Sequence, residues 1–232
     1  MRKYKHIFIA LDRTLWDFEK NSEETFKDLY LIYNIEQLLN CDFDSFFKTY
    51  KKHNTLLWEE YRNKKIIKEF LSVQRFFATL NDFDNYDLEL AKKMAENYLI
   101  LSPQKNLLFP HAIETLEYLK DKYQLHIITN GFIEVQYKKI KNSGIEKFFN
   151  QTITSEEAGV QKPDKYIFEF SLNKVNASPE ECIMIGDDLK IDILGAKNAG
   201  IDQIFFNVDN VKHNENITFE IDSLKQIIEI FN

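Results

Sequence analysis

The chain has 232 residues, 44% of them hydrophobic and 29% charged, with a formal net charge of −7. That size holds one sizeable core, or a core carrying a smaller inserted unit. The acidic balance excludes a surface built to grip nucleic-acid backbone, which needs clustered Lys and Arg, and no run nears the roughly 18 apolar residues that span a bilayer.

The first apolar run, Tyr4 to Ala10, follows the basic start Met1-Arg2-Lys3. It is too short for the apolar region of a secretory signal, and Asp12 and Arg13 follow it directly, so it reads as a buried strand. Residues 16–105 give no clear strand signal and read as four or so amphipathic helices. Phe43, Phe46, Phe47, Tyr50, Leu57, Trp58 and Tyr61 recur there at helical period. From Leu107 the rhythm changes. Helical stretches His111–Lys122, Ile133–Asn142, Asp164–Val175 and Asp192–Ala199 alternate with strand-length runs at Gln124–Thr129, Gln151–Thr154, Cys182–Ile185 and Gln203–Phe206. Pro110 and Pro163 open two of these helices, and Gly144 and Gly200 close two. Short, nearly continuous apolar runs fit strands covered on both faces. The pattern predicts an α/β fold, a doubly wound, Rossmann-like parallel sheet formed by residues 1–15 and 106–232, with residues 16–105 inserted as an all-helical cap. The 20 Phe and 11 Tyr against 6 Gly and 4 Pro predict aromatic packing between helices. Two cysteines, Cys41 and Cys182, make neither a disulfide framework nor a zinc site and read as packed thiols in a reducing cytoplasm.

Four places lie just past predicted strand ends, where open α/β sheets bind ligands. They are Ala10-Leu11-Asp12-Arg13-Thr14, Thr129-Asn130-Gly131, Lys162-Pro163-Asp164 and Gly186-Asp187-Asp188-Leu189-Lys190-Ile191-Asp192. Taken singly, each has an ordinary reading: Asp12 as a turn residue, Thr129 to Gly131 as a simple turn, Lys162 as a solvated charge. In the last place Asp188 faces solvent and Asp192 caps a helix. Yet three carboxylates within six residues repel one another unless a cation or a lysine offsets them, and oxygen ligands suit magnesium.

Together and in this order the four places resemble the haloacid dehalogenase superfamily, whose first motif is DxDx[TV], followed by a strand-end Thr or Ser, a Lys and an acidic GDxxxxD-type motif. The resemblance covers essentially the whole chain, the insertion matching the family's helical cap. The phrases Asn54 to Tyr61, Ile128 to Phe132, Ser155 to Val160 and Asp192 to Ala196 resemble the pyrimidine nucleotidase branch. This likeness implies a magnesium-dependent phosphate-monoester hydrolase acting on a nucleoside 5′-monophosphate through an aspartyl-phosphate. A sugar phosphate is the alternative substrate. A carbon–halogen hydrolase of the same fold is disfavoured, because such enzymes lack the second Asp of the first motif. No membrane or nucleic-acid polymer is implied as partner, and a monomer or weak dimer is expected.

The resemblance also assigns roles. Asp12 would be the general acid and base, its carbonyl a metal ligand, and Asp187 a direct metal ligand. Asp192 would hold a metal water or Lys162, and Asp188 stays open between ligand and bystander. Thr129 and the amides of Asn130 and Gly131 would hold phosphate oxygens, joined by the Leu11 and Asp12 amides and by Lys162. Thr14 would fix the first turn. In the cap, Asn54, Trp58, Tyr61 and Arg75 are candidates for contacting base or sugar. Trp58 and Tyr61 also suit cap packing, while Asn54 and Arg75 alternatively face solvent. One position departs from the family. The nucleophilic Asp is Ala10 here, and a methyl group cannot attack phosphorus. The chain is therefore expected to be inactive, as a deliberate Asp→Ala variant or as a natural pseudoenzyme that binds phosphorylated ligands. The intact remainder of the site favours the variant.

Overall fold

The computed structural model describes residues 4–232; Met1, Arg2 and Lys3, where the predicted core segment begins, lie outside the described residues. The chain forms two compact units. One comprises the chain up to Phe18 together with Asn106–Asn232, the other Glu19–Lys105. The first unit opens with β1 (His6–Ile9). Five helices then follow: α1 (Phe18–Ile32), α2 (Ile35–Leu39), α3 (Phe43–Arg62), α4 (Lys68–Asn81) and α5 (Leu88–Leu101). After Asn106 come α6 (Ala112–Lys120), β2 (Gln124–Thr129), α7 (Ile133–Asn142), β3 (Gln151–Thr154), α8 (Ser155–Ala158) and α9 (Lys165–Val175). The chain closes with β4 (Cys182–Gly186), α10 (Leu194–Asn198), β5 (Asp202–Phe206), β6 (Phe219–Ile221) and α11 (Gln226–Ile230).

The six strands pair in parallel in the order β3-β2-β1-β4-β5-β6. This is the doubly wound arrangement, with the order reversing at β1 and β4. Register sets the two faces. Ile7 stands between Leu125 and Ile183, and Ile9 between Ile127 and Ile185, building one apolar face under α6 and α11. Phe8, Ile128, Ile153, Cys182 and Met184 point the other way, onto Ile167 and Phe168 of α9. Both faces are covered, which is why these strands carry almost no polar alternation.

In the helical unit, Asp42 caps α3 by accepting from the Ser45 amide (2.7 Å), and Asp87 caps α5 through Leu90 (2.9 Å). Phe26 of α1 is the hub of its core, with ring centroids of Phe47, Tyr50, Phe76 and Tyr98 between 4.0 and 5.9 Å away. The fifth helix beyond the expected four is α2, a short piece set off by Asn34 and Asn40 in left-handed conformation. Asn tolerates that conformation better than other non-glycine residues. No helix among the described residues is long and apolar enough to cross a membrane. Cys41 and Cys182 are free thiols, the second fully buried.

The sheet face of Phe8 also buries two histidines. His6 and His126 stack at 5.3 Å between ring centroids, and the His6 Nδ1 lies 3.1 Å from the His126 Nε2. His126 Nδ1 is buried without a hydrogen-bond partner. Burial, with His6 beside it, pushes His126 down to about 4, and burial lowers His6 as well. A histidine held neutral in the fold stabilises fully above its unfolded value near 6.5. That contribution is lost as pH falls from there through the folded value. Urea unfolding from pH 7.5 to 4 should therefore show a loss from His126 on the order of 3 kcal/mol, and His126→Phe should flatten that part of the profile. An unchanged slope in the variant would assign the acid sensitivity elsewhere.

Candidate active site

The carboxyl ends of β1, β2 and β4 bring three carboxylates into one edge of the first unit. Each is met by a cation from another segment. After β1 the backbone folds tightly: Leu15 and Trp16 amides both donate to the Leu11 carbonyl, and Arg13 takes a left-handed φ of 62°. This turn aims Thr14 and Arg13 across to β4. Thr14 Oγ1 donates to Asp187 Oδ1 at 2.9 Å, and Arg13 Nε donates to Asp187 Oδ2 at 3.1 Å. Arg13 also pairs with Asp209 beyond β5. Asp187 is thus held by both oxygens from the loop after β1.

Asp192 is held differently. Lys162 Nζ donates to Asp192 Oδ1 at 2.6 Å and to the Ile128 carbonyl at 2.9 Å, and both side chains of this ion pair are about 5% exposed or less. Lys162 is itself clamped by Asn130, whose side chain accepts from the Lys162 amide (2.8 Å) and donates to its carbonyl (2.9 Å). Asn130 therefore uses its amide to place the lysine. Thr129 is buried at the end of β2, its hydroxyl accepting from the Gly131 amide at 3.1 Å.

Asp188, and not Asp192, caps the helix that follows. Its Oδ1 accepts from the amides of Lys190 (2.9 Å) and Ile191 (2.8 Å), starting a π-helical turn over Leu189–Ile193 that runs into α10. Freed from capping, Asp192 turns back under the strand end. There a Cβ on Gly186 would lie 2.4 Å from the Asp192 Cβ, so glycine is the residue that leaves room for it. Burial, and the charge of Asp192 next, push the Asp187 carboxyl up to about 7, against the pull of Thr14 and Arg13.

Asp12, at the mouth of the turn, is gripped from α7. Gln136 Nε2 donates to its Oδ2 at 2.8 Å, and Lys139 Nζ donates to its Oδ1 at 2.5 Å. Ala10 still pairs with β4, its amide on the Ile185 carbonyl, and its methyl group packs in the apolar cluster of Phe8, Ile128 and Met184. The sequence motifs assign no role to Arg13, Gln136 or Lys139. The available signal was Lys139 falling with Val135, Gln136 and Ile140 on the buried stripe of α7, a charge where an apolar residue belongs.

In the helical unit, Asn54 and Arg75 meet one another. Arg75 Nη1 donates to Asn54 Oδ1 at 3.1 Å, and Tyr50 donates to the same oxygen at 3.3 Å. Arg75 does not face solvent: it is buried, its guanidinium 4.8 Å from the Tyr98 ring centroid. Trp58 and Tyr61 are half-buried and meet edge to face at 5.7 Å.

Among the described residues no group of three or more His, Cys, Asp or Glu side chains is gathered as a metal site. The donors at the strand ends nonetheless suit magnesium, which takes one or two carboxylates and completes its shell with water and substrate oxygens. A buried carboxyl pushed up to about 7 beside a second carboxylate is one whose ionised form a cation would favour. The methyl side chain of Ala10 supplies no oxygen to that set.

Removing Lys162 strands a buried carboxylate. Lys162→Met should cost about 3 kcal/mol or more in urea unfolding, and adding Asp192→Asn should recover much of it. Asp187 gives the opposite sign. Its folded value lies above its unfolded value, so stability falls as pH rises through about 7. In chelator-treated protein, Asp187→Asn should raise the melting temperature at pH 8, with the gain shrinking by pH 5.

The family model of the haloacid dehalogenase-like hydrolases matches residues 4–200. HAD-hydrolase YfnB of Bacillus subtilis is 29% identical over 100% of this chain and 97% of its own length. Its crystal structure, solved bound to magnesium, superposes with a TM-score of 0.88 over 99% of both chains, at 27% identity. Pyrimidine 5′-nucleotidase PynA of Streptococcus pneumoniae is 29% identical over 97% of this chain and 94% of its own. A glyceraldehyde 3-phosphate phosphatase of Pyrococcus furiosus is 32% identical over 99% and 94%. With this match across most of its length, on a sheet whose strand ends gather Asp12, Thr129, Lys162 and Asp187, the chain belongs to the haloacid dehalogenase-like hydrolases.

Proposed function

We propose that this protein is a phosphate-monoester hydrolase scaffold of the nucleoside 5′-monophosphate class, lacking its nucleophile through Ala10. The observation that carries the reading is the edge formed by β1, β2 and β4. It joins a half-exposed carboxylate (Asp12), a buried hydroxyl with an amide beside it (Thr129 and Gly131) and a buried lysine (Lys162). That is the equipment to orient a dianion, offset its charge and move a proton at the ester oxygen. Asp12 would give a proton to the leaving oxygen and later take one from water. Thr129 and the neighbouring amides would hold nonbridging oxygens, and Lys162 would offset their charge. Asp187, with the Asp12 carbonyl, would hold magnesium, which when bound supplies further positive charge to the phosphoryl group. Asp192 would act through Lys162, and Asp188 as a cap. The helical unit would serve as the cap that chooses the leaving group, with Trp58 and Tyr61 the candidates for base or sugar. Asn54 and Arg75 would shape that surface from within.

The similarity to PynA supports the nucleotide class. The similarity to the Pyrococcus phosphatase supports a second reading, a sugar-phosphate substrate on the same machinery. Ala10 belongs to the apolar cluster of Phe8, Ile128 and Met184, which suits a binding module as well as an Asp→Ala variant. One experiment separates these. The chain as given should release no phosphate, and Ala10→Asp should raise turnover by about 10⁴-fold or more with magnesium. A panel of pyrimidine and sugar monophosphates, read by phosphate release, then ranks the substrate classes. No release from any ester by Ala10→Asp would leave the binding module as the better reading.

A further inference from the structure

Helix α7 devotes two polar side chains of its buried stripe to a single carboxylate. Lys139 is 4% exposed at its side chain, and its ammonium also lies 3.7 Å from the Trp16 ring centroid and 5.5 Å from that of Phe18. A buried lysine is expensive, and an apolar residue would serve packing at that position equally well. Gln136 is buried too, with its Oε1 left without a hydrogen-bond partner while its Nε2 reaches Asp12. The loop before α7 accommodates this grip. A Cβ on Gly131 would lie 1.7 Å from the Gln136 Nε2, so the glycine leaves the space that the amide needs. Asp12, by contrast, is 27% exposed at its side chain. Two buried donors thus stand behind one carboxylate that opens outward. A merely structural pair would be served by one of them.

We propose that Gln136 and Lys139 are positioning residues for Asp12. They fix its carboxylate by one lone pair on each oxygen, leaving the other lone pairs for the transferred proton. The inference rests on the phosphatase reading, in which the Asp12 proton passes to the leaving oxygen as the phosphorus–oxygen bond breaks. A poor leaving group needs that proton and a good one does not, so misplacing Asp12 acts selectively.

The test uses the full chain carrying Ala10→Asp, with magnesium, and compares kcat/KM for a nucleoside 5′-monophosphate and for p-nitrophenyl phosphate. This constant reports the steps through departure of the leaving group and is blind to later hydrolysis of the aspartyl-phosphate. Lys139→Met, which keeps an apolar stem over Trp16, should lower it about 10²-fold on the nucleotide and within about threefold on the p-nitrophenyl ester. Lys139→Arg should restore most of the loss. Gln136→Leu should show the same selectivity at about tenfold, and it decides the matter if Lys139→Met does not fold. Equal losses on the two esters, or no loss on either, would overturn the positioning role alone. An Ala10→Asp parent that turns over neither ester would overturn the phosphatase reading and this inference with it.

Discussion

Like charges gathered at the end of a parallel sheet must be balanced before the sheet can close around them, and here the balance is made pair by pair. Asp187 takes Arg13, Asp192 takes Lys162, and Asp12 takes Lys139. Each cation comes from a different segment, so the pairs tie the turn after β1, the loop before α9 and helix α7 to the strand ends. Attraction inside a poorly solvated edge is strong, but so is the cost of removing each ion from water. The pairs are therefore better understood as fixing positions than as supplying net stability. Local backbone follows from them. Gly186 gives way to Asp192, Gly131 gives way to Gln136, and the π-helical turn after Asp188 swings Asp192 back towards Lys162.

Ala10 acquires its meaning against that balance. It stands at the switch between β1 and β4, hydrogen-bonded to β4 like any strand residue, with its methyl group among apolar neighbours. A carboxylate there would add a further negative charge beside Asp12 and Asp187, where Arg13 is already shared between Asp187 and Asp209 and burial with the charge of Asp192 already pushes Asp187 up to about 7. Alanine at this position spares the edge that added charge.

The strands that build this edge were legible because burial on both faces leaves little but apolar residues: His6 to Ile9, Gln124 to Thr129 and Cys182 to Gly186 all read directly. β6 was not, because an edge strand of three residues needs to bury only Ile221, and Glu220 and Asp222 around it erase the pattern. The acidic run after β4 was legible as a cluster but not in its geometry. Spacing alone does not tell which of Asp188 and Asp192 turns to the amides, since either is a good helix cap. Arg75 was hidden for another reason. Its charge suggests the surface, while its guanidinium lies among the rings of Tyr98, Phe76 and Tyr50, where flat cation and aromatic face suit one another.

Lys139 shows the same limit at the strand-end edge and also a way past it. The residues proposed to meet a ligand follow strand ends, so the strand pattern points to Asp12, Thr129 and Asp187. The groups that hold Asp12 come from the next helix, α7, and carry no motif of their own. Their trace is a fault in the periodicity: a charged side chain at a position whose helical neighbours, Val135 and Ile140, are buried. Such a residue has to find an opposite charge in the interior or unfold the helix from its seat. In a doubly wound sheet, the carboxylate nearest to the start of that helix is the one at the end of a neighbouring strand. A charge in the buried stripe of the helix after β2 thus points back to the acid that follows β1, and the sequence alone contains both halves of that pair.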